Sequence, residues 1–273
     1  MIHSELLYKS KDDWLKSKKK KITLVGMSGL GKTFLAKMLH DKYQWVHYSV
    51  DYMIGSMYMK DLIFQNGNVS KINNFSIKNL SALSEYLGNP GNRLQDGLDF
   101  QVYVKRQREH RNAEISAMLN MGRFIKANTL SDRMNFVCDS SGSLCEIVNP
   151  NNPNDKILSK IAKQTLIILI KETDQHMEKL KSRFKKAPKP MYYNENFLNR
   201  IWQNFCLEKN VPHNDVNPYE FSLYGFEKLI AHRRPIYNMI AKNWGIEIPA
   251  ADINHVKSDV DLNHLIADYL PLK

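Results

Sequence analysis

The stretch Gly26-Met27-Ser28-Gly29-Leu30-Gly31-Lys32-Thr33 fits G-x-x-x-x-G-K-S/T at every fixed position. A loop of this kind needs a strand to deliver it and a helix to start from it. Backbone N–H groups and the positive end of the helix then converge on phosphate oxygens. Both neighbours are legible. Lys21 to Val25 is short and apolar, bounded by charge and then glycine, and reads as a buried strand. Thr33 to Lys42 has helical spacing, with Phe34, Leu35, Met38 and Leu39 on one face. An accidental glycine turn would lack this context. In the pattern, Gly26, Met27, Ser28, Gly29, Leu30 and Gly31 form the cradle and Lys32 reaches the β- and γ-phosphate oxygens. The Thr33 hydroxyl takes a position on Mg²⁺. The loop implies ATP as the nucleotide and Mg²⁺ as its metal.

Strand, glycine loop, helix and strand in succession are the α/β order. Trp45 to Val50 alternates and reads as a second strand, Asn135 to Cys138 as a third, Thr165 to Ile170 as a fourth and Gly245 to Ile248 as a short last one. Helices are predicted over Asp99 to Leu119, Asp174 to Phe184, Asn194 to Glu208, Leu223 to Asn243 and Asp261 to Tyr269. Turn signals fall at Asn66–Gly67–Asn68 and Gly88–Asn89–Pro90–Gly91. The expectation is a P-loop NTPase fold, a doubly wound parallel sheet flanked by helices. One domain would span 1–273, with helical insertions at 56–123 and 184–224, the second serving as a lid.

With 273 residues, 43% of them apolar, the chain can bury a sizeable core. Three cysteines without metal-ligand spacing fit a reducing compartment. The first 21 residues mix acids and bases without an apolar stretch, and the longest apolar run, Leu166 to Ile170, is far too short for a bilayer. These features point to a cytoplasmic protein with no membrane partner. The formal net charge of +11 suits either nucleic acid or nucleotide phosphates with the other lysines solvated. Lys18 to Lys21, the densest basic run, reads as a soluble lead-in to the first strand.

Asp139 ends a strand, where it either holds Mg²⁺ through water or caps a turn. Asp51 follows the second strand. If that strand neighbours the first, Asp51 orients an acceptor hydroxyl or takes its proton; otherwise it is a solvated turn residue. Arg233 and Arg234 serve an anion or a helix surface. Arg183 lies in a basic helix where solvated charge is usual. Cys138 reads as a small buried hydrophobe, and Cys145 has no activating neighbour in sequence. Tyr192, Tyr193, Phe197 and Trp202 form one apolar face, either core or pocket wall.

Taken together, these motifs give a chain that resembles shikimate kinase and its relatives among P-loop small-metabolite kinases. The order of features matches over most of the length. Tyr48-Ser49-Val50-Asp51 falls where the family carries Asp-x-Asp, with Ser49 in place of the first acid. The resemblance implies that Asp51 holds substrate hydroxyls. Asp139-Ser140-Ser141-Gly142-Ser143 sits where the family has a glycine run around substrate, and Gly142 matches one of those glycines. Arg183 falls where a lid arginine meets ATP. Arg233-Arg234-Pro235-Ile236-Tyr237 is similar to the family's Arg-x-Pro-Leu-Tyr, which implies that Arg233 binds a substrate carboxylate. Lys105-Arg106 and Arg111 both could match a further substrate-binding arginine.

The reading is an ATP-dependent kinase for a hydroxyl of a small, anionic metabolite. Its competitor is a P-loop ATPase with a nucleic-acid-linked or regulatory role.

Overall fold

Five short apolar segments pair into one parallel sheet: β1 (Lys21–Val25), β2 (Val46–Ser49), β3 (Phe136–Asp139), β4 (Leu166–Lys171) and β5 (Gly245–Pro249), in the order β2-β3-β1-β4-β5. The computed structural model describes residues 6–65, 76, 80–128 and 134–272. The central strands β1, β3 and β4 are buried almost without interruption, as parallel strands covered on both faces must be. A polar pair survives there because it is satisfied: the hydroxyls of Thr23 and Thr165 lie 2.7 Å apart, and Thr165 also donates to the Ile161 carbonyl.

All five expected strands are present, and their ends shift by a residue or so. The strand order also decides the condition attached to Asp51. β2 pairs with β3, and β3 separates it from β1. The buried β1, which carries the glycine loop, takes the sheet centre, while the four-residue β2 with its half-exposed His47 takes an edge.

The helix after the loop, Lys32–Tyr43, buries Leu35, Ala36 and Leu39. Phe34 is 77% exposed, against the expectation that it shares the buried face. Apolar residues lie on two stripes of this helix, and the sheet covers only one of them.

By contacts the chain divides into two compact units. The first contains residues up to Val50, Ala117–His176 and the chain from Arg234 onward, and so holds the whole sheet. Its N-terminal helix, Lys11–Lys16, is tied to the C-terminal segment. Buried Trp14 donates from Nε1 to the Asn263 carbonyl at 2.9 Å, and the Lys11 amide donates to the Pro271 carbonyl. The loop before the helix Lys156–Ala162 is anchored at the Pro150 carbonyl, which accepts from Asn243 and Trp244.

The second unit, Asp51–Ser116 with Met177–Arg233, has its own core. Tyr193, Phe197 and Trp202 belong to that core, together with Tyr103, Phe205 and Phe221. Trp202 stacks on Phe100 and meets Phe221 edge-on. The turn signal at Gly88 to Gly91 leads into a pair of backbone bonds, Gly91 N–H to Leu98 and Asn92 N–H to Val216. The signal at Asn66–Gly67–Asn68 lies outside the described residues. Two long helices run through this part of the chain, Phe100–Asn128 and Pro218–Trp244. The second starts on a proline, whose missing N–H costs nothing there, and contains Pro235 further on.

Candidate phosphate-binding site

The loop leaves the end of β1 and turns through left-handed backbone at Gly26 (φ 135°), Gly29 (φ 86°) and Gly31 (φ 86°). Side-chain-bearing residues resist these angles, which accounts for the three glycines. Gly31 is the N-cap of the helix Lys32–Tyr43 and brings no side chain of its own to the cap, so helix-end N–H groups face the loop.

Lys32 is buried, and its ammonium donates to the loop carbonyls of Gly26 at 2.7 Å and Met27 at 3.0 Å. Across from it lies Asp139, the last residue of β3, in register with Leu24 of β1. Its carboxyl feels the charge of Lys32 and the nearby Thr33 hydroxyl. Burial nevertheless pushes the Asp139 carboxyl above its ordinary range, with Lys32 and Thr33 acting in the opposite direction. Three residues read separately from the sequence, Lys32, Thr33 and Asp139, are thus brought together.

The segment after β3 closes over the loop. The Ser140 amide donates to the Leu24 carbonyl. A Cβ at Gly142 would stand 2.1 Å from Ser28 Oγ and 3.0 Å from its amide nitrogen. Only glycine allows so close an approach to the P-loop. Ser140, Ser141, Ser143 and Glu146 are buried in the same segment. Sequence reasoning passed over Glu146, because a lone acid three residues into a turn carries no pattern.

The remaining candidates are placed as follows. Ser49 stands opposite Asp139 in the β2–β3 register, and Asp51, half-buried, follows in the short helix Val50–Met53. Asp51 opens the second unit. Its expected placement rested on β2 neighbouring β1, which the strand order does not provide. Arg233 is buried in the second unit and donates from Nη2 to the Tyr192 carbonyl at 2.7 Å. Beside it lies His110, 4% exposed, stacked on the Tyr192 ring at 4.7 Å. Burial first, and the Arg233 charge second, push the His110 imidazole down to about 3. This cluster has no signal in the sequence, because its members are joined only by folding. Arg234 belongs to the first unit, where it donates to Glu172 at 2.8 Å and Asp174 at 3.1 Å. Arg183 is exposed in the last turn of the helix Asp174–Lys186. Cys138 and Cys145 are buried, and burial raises the Cys138 thiol.

A parallel sheet in this order, with a phosphate loop after its central strand and helices alongside, makes a P-loop α/β fold. No family model matches the chain, and no curated protein matches it. Among solved structures it is similar to a shikimate kinase from Bacteroides thetaiotaomicron, with a TM-score of 0.42 and 11% identity. The match covers 91% of this chain and 95% of that one. Among the described residues no helix is long and apolar enough to cross a membrane.

Proposed function

We propose that the chain is an ATP- and Mg²⁺-dependent kinase that phosphorylates a hydroxyl of a small, anionic metabolite. The observation that carries this reading is the convergence of Lys32, Thr33 and Asp139 at the ends of β1 and β3. A lysine in a glycine loop, a hydroxyl at the helix start and an acid on the adjacent strand are the groups that a nucleotide with its metal requires.

The Thr33 hydroxyl and the Asp139 carboxylate act on each other, and these two oxygens are the groups that would hold a hard cation between the loop and β3. Mg²⁺ takes one or two such oxygens and keeps water and phosphate for the rest. When bound, it supplies charge neutralisation at the β- and γ-phosphate oxygens. Lys32 and the loop amides stabilise the charge on the transferring phosphoryl group. Asp51 follows β2, whose last residue Ser49 stands opposite Asp139, and from there it orients the acceptor hydroxyl and takes its proton. Arg233 pairs with an acidic group of the acceptor, and Gly142, packed against Ser28 of the loop, belongs to the segment that cradles the acceptor. Residues 184–224 act as a lid that excludes water, with Arg183 meeting ATP. In this reading, 1–273 works as one kinase-like domain with a second insertion at 56–123, in the cytoplasm.

The test is ATP turnover with Mg²⁺ against a panel of hydroxylated acids, sugars and nucleosides, with Lys32→Ala and Asp51→Asn as controls. Transfer to one acceptor, lost in both variants, is the expected result. Hydrolysis without any acceptor, raised by RNA or DNA and retained in Asp51→Asn, would establish the nucleic-acid-linked ATPase instead.

A further inference from the structure

A cleft of about 340 Å³ opens in the first unit at the start of the strands. Lys21, the first residue of β1, lines it, as do Lys163 and Gln164 just ahead of β4. The phosphate loop leaves the other end of β1, so the length of a five-residue strand, about 16 Å, separates the two.

Four lysines line the cleft, Lys19, Lys21, Lys126 and Lys163, against one acid, Asp13. The Asp13 carboxylate already accepts from the Lys9 amide at 3.0 Å. Among the described residues, Lys21, Lys126 and Lys163 have no carboxylate partner within 4 Å. The basic run before β1 is therefore more than a solvated lead-in. Its side chains alternate as extended backbone requires. Lys20 turns away to the Ser17 carbonyl and the Trp14 ring, while Lys19 and Lys21 line the cleft. Buried Tyr8 fixes this arrangement. Its hydroxyl donates to the Lys19 carbonyl at 3.0 Å and accepts from the Lys21 amide at 2.9 Å.

The cleft also holds an unanswered acceptor. Gln164 Oε1 is buried and has no hydrogen-bond partner, a costly state for a carbonyl oxygen. The amide is pressed against the helix Phe100–Asn128 at Gly122, where a Cβ would stand 2.3 Å from Gln164 Nε2. Glycine at that position makes room for the amide.

We propose that this cleft binds a small phosphate monoester that carries hydroxyl groups. The phosphate lies among the lysines, the ligand hydroxyls lie against the Gln164 side chain, and the carbon skeleton lies along Ile125. The volume falls at the small end of ligand pockets, the size of a sugar phosphate. The 5′-phosphate of a nucleic acid offers the same charged group and is the other source to distinguish. This site does not depend on the kinase reading.

Calorimetric titration of the full chain in a Lys32→Ala background, which silences the phosphate loop, separates the cases. The probes are glucose 6-phosphate, glucose, inorganic phosphate, and one oligodeoxynucleotide with and without a 5′-phosphate. Glucose 6-phosphate is expected to bind one to one and glucose not at all. Lys126 and Lys163 are exposed, so the double variant Lys126→Ala/Lys163→Ala keeps the fold. It should weaken glucose 6-phosphate by roughly fivefold per lysine, about 25-fold in all. Gln164→Leu should weaken glucose 6-phosphate and leave inorganic phosphate unchanged. Absence of glucose 6-phosphate binding, binding indifferent to the lysine pair, or binding of the oligonucleotide alone would overturn the proposal.

Discussion

Burial raises the Asp139 carboxyl even though Lys32 and Thr33 both act to lower it. The folded chain therefore holds a proton there more readily than the unfolded chain does. Stability falls as pH rises from the ordinary 3.8 through the raised value, and at neutral pH the ionised group is a net cost. Asp139→Asn should raise the Tm of the ligand-free protein at pH 7, by roughly 2–4 °C per kcal/mol recovered. In the kinase reading, the same change should also remove any stabilisation by Mg²⁺-ATP. Scanning calorimetry with and without nucleotide reads both; a lowered ligand-free Tm would mean that the two contacts outweigh burial. His110 works with the opposite sign. Its partners are Arg233, the stacked Tyr192 ring and the Glu114 carboxylate at 3.8 Å. The unfolded chain takes a proton near 6.5 and the folded one only near 3, so stability drops as pH falls between those values. The slope reaches at most about 1.4 kcal/mol per pH unit. His47, shifted down to about 4 chiefly by burial, adds in the same direction. Urea midpoints at pH 7 and pH 4.5 should lie closer together in His110→Gln than in the parent; an unchanged gap would remove His110 from the account.

Elements in the first unit are joined by a few charged contacts of unequal worth. Arg234, on the helix Pro218–Trp244, meets Glu172, whose side chain is only 2% exposed, just after β4. Removing the arginine leaves a buried carboxylate uncompensated, which costs about 3–5 kcal/mol in a fully buried pair. Because the Arg234 side chain is 37% exposed, water screens the pair, and Arg234→Ala should cost about 2 kcal/mol. Adding Glu172→Gln should recover part of that loss in chemical denaturation; a double variant as unstable as the single one would point to lost packing. The kind and place of each strand and long helix were legible in the sequence, because periodicity and end signals are local. Neighbours were not. Nothing in Trp45 to Val50 says that its partner begins at Phe136, so the placing of Asp51 by a β1–β2 pairing had no footing in the sequence. Phe34 misled for a related reason, since helical spacing defines stripes but not which one the sheet will cover.

Across the whole molecule the site divides in the same way. The P-loop and Asp139 were readable, one from its spacing and the other from its place at a strand end. The His110–Arg233 cluster and the lysine cleft draw residues from distant segments, and only folding assembles them. The net charge of +11 likewise acquires a location, since part of it lines a cleft at the foot of the sheet. A ligand bound by the loop stabilises the folded chain by mass action, growing with the logarithm of its concentration. Raising Mg²⁺-ATP through a thousandfold range should therefore increase Tm steadily in the parent and leave Lys32→Ala flat. A rise of equal size in both would place the nucleotide elsewhere.

The strand order also has a history written into it. β1 pairs only with β3 and β4, which begin at Phe136 and Leu166. On the ribosome, at about 5–20 residues per second, the phosphate loop emerges well before either neighbour of its strand exists. For several seconds this apolar strand has no sheet to join. The lysines at 18–21 then flank it as charged gatekeepers, keeping that nascent strand in solution until its partners arrive.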